Sequence, residues 1–242
     1  MPLEMVALLA GAFAAAFVSG AVGFGNALVA AAIWLPFLEP HAAVPLIIIT
    51  GLVMHAWSLR ALRVKPDLSR LAPFVAGGLL GAPLGTWLLT LAEPAPFRRA
   101  VGVILCAYGV TALVLRPDRM RLNPPRAADA AVGAAAGLLG NFAGLAGLLP
   151  TMWCGLRGWT PDHQRAVYQP VQLALGLIAL LGVVASGLVG GEALKRLALC
   201  FPAIVAGLWC GYALYARLNP LAFGRAVLAL VLISGAALLI QG

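Results

Sequence analysis

Charged side chains are scarce in this sequence: they make up 10% of its 242 residues, whereas 62% are apolar. Ordinary soluble domains carry roughly 25% charged and 45–50% apolar residues. So many apolar residues cannot all be buried in a soluble protein of this size, because its surface needs charge to stay in solution. The composition excludes a soluble globule and predicts an integral membrane protein.

Catalytic and metal-binding patterns are also missing. The sequence has no GxSxG or HExxH motif, and no Asp, Glu, Lys or Arg lies well inside an apolar stretch. This excludes an intramembrane aspartyl protease and argues against a carboxylate proton relay. The four cysteines show no CxxC or Cys/His spacing, which favours packing thiols over metal ligands. We therefore expect no catalytic residue, no metal and no cofactor.

Basic residues outnumber acidic ones, 16 to 8. In a soluble chain this excess would suggest a nucleic-acid partner, but in a membrane protein Lys and Arg in short loops set the orientation. Two loops separated by two apolar stretches carry Arg60, Arg63, Lys65 and Arg70, and Arg116, Arg119, Arg121 and Arg126. We expect both loops in the cytoplasm and no nucleic-acid partner. The loops of the second half give no orientation.

Charge-free stretches divide the chain into eight segments, which cover 5–38, 40–59, 71–92, 100–115, 130–156, 166–191, 197–216 and 226–242. A helix needs about 20 apolar residues to cross a hydrocarbon core, and most of these stretches suit that length. The stretches 5–38 and 130–156 are longer and contain glycine clusters. The sequence predicts an all-α polytopic membrane protein with about eight transmembrane segments, in which the first segment of each half is broken at glycines.

The two halves of the chain resemble each other. A shift of 126 residues aligns Pro94, Phe97 and Arg99 with Pro220, Phe223 and Arg225, and a shift of 124 aligns Gly20 and Gly23 with Gly144 and Gly147. We predict an N-terminal repeat (1–116), a basic cytoplasmic linker (117–128) and a C-terminal repeat (129–242). Duplicated halves are typical of secondary transporters. Parallel and inverted repeats are both compatible with the pattern.

The glycine clusters are the first candidate substrate site. Their residues are Gly20, Gly23, Gly25 and Asn26 in the first half, and Asn141, Gly144 and Gly147 in the second. Such a cluster weakens a helix and presents backbone N–H groups and a half-helix N-terminus, whose partial positive charge suits an anion. Close packing of helices through small residues is the competing interpretation.

A spacing of four favours packing for a second set of glycines, Gly77, Gly81, Gly85, Gly207 and Gly211. These faces could serve packing within the chain or a homodimer.

Few polar side chains lie inside the spans. Thr50, Gln169 and Gln172 are candidates for substrate binding, although the two glutamines flank Pro170 and could instead satisfy backbone groups that the proline frees. His55 is the one titratable side chain inside a span and is a candidate for proton coupling. Its position five residues before Arg60 also suits an interfacial residue beside Trp57.

Together, the broken first segments, the eight apolar stretches and the basic linker resemble the TauE/SafE family of sulfite exporters and related anion permeases. The resemblance covers nearly the whole chain. Gly20, Gly23, Gly25 and Pro36 are similar to the first copy of the family's glycine-rich motif, and Gly144, Gly147 and Pro150 to the second. The sequence departs from the motif at Asn26, Ala27, Leu148 and Leu149, where the family has glycines.

The resemblance implies a permease that moves sulfite, a sulfonate or a related small sulfur-containing anion outward through the lipid bilayer of a bacterial-type inner membrane. Three alternatives remain open from the residues alone. A membrane scaffold subunit would use its glycines only for packing. A channel would carry a flux that does not saturate with substrate. An intramembrane enzyme would need a set of catalytic residues that the sequence lacks.

Overall fold

The computed structural model describes residues 2–60, 65–114, 121–215 and 220–241. Within these ranges the chain is all-helical, as predicted, with 85% helix and no strand. Its ten helices are α1 (Pro2–Val22), α2 (Asn26–Trp34), α3 (Pro40–Arg60), α4 (Leu68–Thr90), α5 (Pro94–Val114), α6 (Arg126–Ala143), α7 (Leu148–Gly155), α8 (Pro161–Ala185), α9 (Gly191–Tyr215) and α10 (Pro220–Gln241). Arg63, Arg116, Arg119 and residues 117–120 of the predicted linker lie outside the described residues.

Six of the described helices, α1, α3, α4, α5, α8 and α9, are long and apolar enough to cross a membrane. Eight spans were expected. The other two expected segments correspond to α6, which has 18 residues and contains Arg126 and Asp129, and to α10, for which the search for spans covers only Ala226–Gln241. Length and composition therefore support six spans.

The long first stretch forms a helical hairpin. The chain reverses at Gly23 and Gly25, whose φ angles of 81° and 87° favour glycine. The returning helix α2 packs antiparallel to α1, because the Trp34 indole donates a hydrogen bond to the Leu8 carbonyl (3.1 Å) and lies against Gly11. The glycines thus turn the chain back at the break that the sequence predicts.

The second long stretch reverses in the same way. Gly144 ends α6 with a φ of 76°. Gly140, one turn earlier in α6, lies against Ala146, which follows the reversal. Helix α7 then returns towards the start of α6, where the Trp153 indole donates to the Asp129 carboxylate (2.7 Å). Each half of the chain therefore begins with a glycine-tipped hairpin.

Glycines allow two pairs of helices to pack closely. Gly77, Gly81 and Gly85 of α4 contact the backbone of α6 at Ala130, Ala134 and Leu138, so the two helices run parallel. Gly207 and Gly211 of α9 contact α1 at Phe13 and Phe17 in the same manner. The predicted packing role of these five glycines is confirmed. Because all five face helices of their own chain, a homodimer would have to use other surfaces.

The two hairpins open towards opposite ends of the molecule. Helices α1 and α9 begin together, where Arg196 pairs with Glu4 (3.0 Å). Helix α6 begins beside the starts of α4 and α8, since Arg157 just before α8 pairs with Asp129. Helices α8 and α9 are consecutive spans joined by a short turn, so their starting points lie at opposite ends. The tips of the two hairpins consequently approach each other inside the molecule.

The outer surface is largely apolar. Leu80 and Ile240 are 81% and 86% exposed, and Trp209 is 72% exposed. Apolar patches of this extent are not tolerated on a soluble monomer and suit contact with lipid. Trp57, 53% exposed near Arg60, suits the membrane interface, where aromatic side chains concentrate.

Candidate functional site

A small cavity lies where the two hairpin tips meet. We call it the inner cavity; its volume is about 30 Å³, enough for about two water molecules if each needs roughly 10–15 Å³. Seven of its lining residues bear on its chemistry: Gly25, Asn26, His55, Gly144, Gly147, Thr151 and Gln172. None of the described residues that line it is an Asp, Glu, Lys or Arg. Its chemistry therefore depends on dipoles and hydrogen bonds.

Two half-helices begin at the inner cavity. Helix α2 begins at Asn26 and α7 at Leu148, and neither N-cap residue, Gly25 or Gly147, makes a side-chain capping hydrogen bond. The first N–H groups of a helix have no partner within the helix and carry partial positive charge. Two such ends directed at one cavity favour a negatively charged ligand over a cation.

Asn26 and His55 lie on either side of Gly51. A Cβ atom placed on Gly51 would be 3.1 Å from Asn26 Nδ2 and 3.8 Å from His55 Nε2. A side chain at Gly51 would therefore fill the space between the amide and the imidazole. Both side chains are buried, Asn26 at 4% and His55 at 8% exposure, and the Nδ1 atom of His55 has no hydrogen-bond partner. His55 thus lies in the cavity wall.

Thr151 and Gln172 connect α7 to α8 beside the cavity. The Thr151 hydroxyl donates to the Gly147 carbonyl (2.7 Å) and accepts from Gln172 Nε2 (2.8 Å). A Cβ on Gly147 would lie 2.6 Å from the same Nε2 atom, so a side chain at this position would displace Gln172. The Oε1 atom of Gln172 is buried without a hydrogen-bond partner.

The structure places the other candidate residues outside the cavity wall. Gly20 faces α9, where a Cβ would lie 2.6 Å from the Leu208 carbonyl. Gly23 forms the hairpin tip beside Gln169, whose Nε2 would be 3.0 Å from a Cβ on Gly23 and whose Oε1 has no partner. Thr50 donates to the Leu46 carbonyl of its own helix (2.7 Å).

Asn141, the counterpart of Asn26 in the second half, is bonded within the protein. Its Nδ2 donates to the Gly137 carbonyl (2.9 Å), and its Oδ1 accepts from the Thr86 hydroxyl (2.9 Å). It joins α6 to α4 and does not line the inner cavity. The two asparagines therefore have different environments despite their similar positions beside glycine clusters.

Three residues that line the cavity were not among the site residues predicted from the sequence: Thr151, Gly51 and Tyr108. A signal existed for Thr151, which follows Gly147 by one helical turn and so shares its helix face. Gly51 follows the selected Thr50 directly. No local pattern marks Tyr108, which reaches the cavity from α5.

The protein-family model described as Sulfite exporter TauE/SafE matches residues 7–238, which is nearly the whole length of the chain. The chain belongs to the TauE/SafE sulfite exporter family. No curated protein and no solved structure matches it. Membership makes the protein an integral membrane transporter rather than an enzyme, and it implies a small anionic substrate. A cavity at which two helices begin, and whose described wall residues include no Asp, Glu, Lys or Arg, is consistent with such a substrate.

Proposed function

We propose that this TauE/SafE protein is a secondary transporter that exports sulfite or a related small sulfur-containing anion across a bacterial inner membrane by alternating access. The observation that carries the proposal is that two helix N-termini without side-chain caps meet at a cavity whose described wall residues carry no fixed charge. Such a site attracts an anion through backbone dipoles. It also lets the anion leave, because none of the described wall residues is an Asp, Glu, Lys or Arg that would hold it permanently.

The substrate would be bound by donors from both hairpins. The N–H groups at the start of α2 and the Asn26 amide approach from one side, and the start of α7 approaches from the other. Charge-assisted hydrogen bonds of this kind are stronger than neutral ones. Gly23, Gly25 and Gly144 support the site by holding the tips in backbone conformations that other residues rarely adopt.

The small volume of the cavity supports alternating access. A space for about two water molecules must widen before it admits an oxyanion, so the structure corresponds to a closed arrangement of the tips. Hairpins that open to opposite ends fit two inverted repeats, residues 1–116 and 129–242 around the 117–128 linker. In such repeats α1 corresponds to α6, and α4 corresponds to α9. The packing of α4 on α6 is then matched by the packing of α9 on α1, as a twofold relation between the repeats would produce.

His55 is the proposed proton-coupling residue. It lines the inner cavity with an unpartnered Nδ1, and an imidazole can take up a proton and become positively charged. The other titratable side chain among the described residues of the wall is Tyr108. A proton on His55 would add the positive charge that the cavity otherwise lacks and would strengthen anion binding in one half of the cycle.

The test is the flux of labelled sulfite into proteoliposomes, with and without an imposed proton gradient, against empty liposomes. We expect a saturable flux that responds to the gradient, and a His55→Gln variant that carries anion without that response. A flux that does not saturate would favour a channel. Absence of flux for both sulfite and methanesulfonate would contradict the proposed substrate class.

Replacing Thr151 with valine should lower the transport rate about fivefold. The change removes a hydroxyl that orients Gln172, and such a hydrogen bond contributes about 1 kcal/mol, a factor of roughly five. Thr50→Val is the matched control, because Thr50 makes the same bond to its own helix away from the cavity. Initial rates per reconstituted molecule should separate the two variants. Equal rates would remove Thr151 from the site.

A further inference from the structure

A second cavity lies at the end of the molecule where α4, α6 and α8 begin. We call it the arginine cavity; its volume is about 340 Å³, and it is lined by Asp67, Ser69, Arg70, Pro73, Asn123, Pro124, Pro125, Arg126, Asp129 and Arg157. Small-molecule sites have volumes of roughly 300–1,000 Å³. Residues from the two loops that the basic pattern assigns to the cytoplasm meet here, so this cavity opens on the cytoplasmic side.

The floor of the arginine cavity is a buried ion pair. Arg157 and Asp129 pair with side chains only 5% and 6% exposed. The same Asp129 oxygen accepts a hydrogen bond from the Trp153 indole (2.7 Å). The carboxylate is therefore held by two donors, whereas Arg157 uses one of its N–H groups on it and its buried Nε has no hydrogen-bond partner. A guanidinium has five N–H donors, so Arg157 retains donors for a ligand.

The rim of the cavity carries further positive charge. Arg70 and Arg157 both approach the Trp159 ring, with Cζ atoms 4.6 and 5.2 Å from its centroid. Asp67 pairs with Arg70 (3.1 Å), and a hydrogen bond from the Ser69 hydroxyl lowers the pKa of Asp67, so this carboxylate is charged at neutral pH. With Arg126, three arginines face two aspartates, which leaves one positive charge in excess.

We propose that the arginine cavity is a second anion-binding site, in which the transported oxyanion binds on the cytoplasmic side before it moves to the inner cavity. Arginine binds oxyanions in a two-pronged geometry that suits a sulfite or sulfonate group. Helix α7 joins the two sites directly, since it begins at the inner cavity and ends two residues before Arg157. Its eight residues span about 12 Å at 1.5 Å per residue. The role in transport rests on the proposed function, whereas anion binding at the cavity does not.

The test is equilibrium binding of labelled sulfite to the full-length protein in nanodiscs. One variant combines Arg157→Gln with Asp129→Asn, which leaves no unpaired buried charge and preserves the net charge. A second is Arg70→Gln, a partly exposed residue whose loss is not expected to disturb folding. The control is Arg60→Gln, which removes one exposed arginine from the same end of the molecule but not from the cavity wall.

We expect sulfite to occupy two sites per chain in the unmodified protein. The Arg157/Asp129 double variant and Arg70→Gln should weaken one of them at least tenfold, and Arg60→Gln should stay within twofold. In flux assays both cavity variants should raise KM about tenfold and change kcat less than twofold. Sulfite affinities within twofold of the unmodified protein in both cavity variants would overturn the proposal. Binding of inorganic phosphate is measured in the same nanodiscs. If the cavity variants lose phosphate binding but keep their sulfite affinity, the cavity is a phosphate site and the proposal is overturned.

The outcomes also separate this proposal from the proposed function. If sulfite is transported but both cavity variants bind it normally, the transport proposal stands and the second site is wrong. If the cavity binds sulfite but the protein carries no sulfite or sulfonate, the site stands and its role in transport is wrong.

Discussion

Replacing Asn26 with leucine should lower sulfite flux by roughly 10- to 150-fold while the protein remains folded and inserted. Leucine has a similar size, so the 4% exposed position stays filled, but the amide donor that faces the inner cavity is lost. A hydrogen bond to a charged group contributes about 1.5–3 kcal/mol, and each 1.4 kcal/mol is about a factor of ten. Initial flux in proteoliposomes and the melting temperature in detergent measure the two parts of the prediction.

Asn141→Leu is the matched control for Asn26→Leu. Asn141 is also buried beside a glycine cluster, but its amide bonds to Gly137 and Thr86 within the protein. Its replacement should lower the melting temperature and leave the flux per folded molecule close to that of the unmodified protein. The opposite pattern, a stable Asn141→Leu protein without flux and an active Asn26→Leu protein, would move the substrate site to the second hairpin.

The membrane class and the glycine breaks could be predicted from the sequence because both depend on local composition. Apolar stretches without charge require lipid around them, and glycine clusters tolerate the positive φ angles found at Gly23, Gly25 and Gly144. The reversal of the chain at those breaks could not be predicted. It depends on contacts such as that between Trp34 and Leu8, which are 26 positions apart and have no signature in a local pattern.

The candidate site was predictable only in part for the same reason. Asn26 and Asn141 look equivalent in the sequence, and only the position of Thr86 on α4 shows that Asn141 is already bonded. Gly147 has an ordinary φ of −82°, so its backbone conformation does not require glycine, and only the folded structure shows that a side chain there would meet Gln172. For His55 the sequence allowed two interpretations, a residue for proton coupling and an interfacial residue near Arg60. Its place in the cavity wall depends on how α3 packs against the first hairpin, which no local pattern shows.

Replacing Gly81 with alanine should destabilise the protein by about 1–3 kcal/mol, the usual cost of an overpacked contact. The added Cβ would contact the Ala134 backbone, with the carbonyl carbon 2.8 Å and Leu138 N 3.1 Å away. These atoms belong to the backbone of α6 and cannot rotate aside as a flexible side chain would. Helices α4 and α6 would have to separate, and the melting temperature in detergent should fall by several degrees.

Gly190→Ala provides the control, because a Cβ there meets no atom within 4 Å and its φ angle is not positive. The same chemical change should leave the melting temperature nearly unaltered. Equal melting temperatures for the two variants would show that α4 and α6 are not packed through their backbones. A fall confined to Gly81→Ala would support a rigid contact between α4 and α6. The second hairpin would then have to move together with α4, so that a change in access would carry the start of α7 and the inner cavity with it.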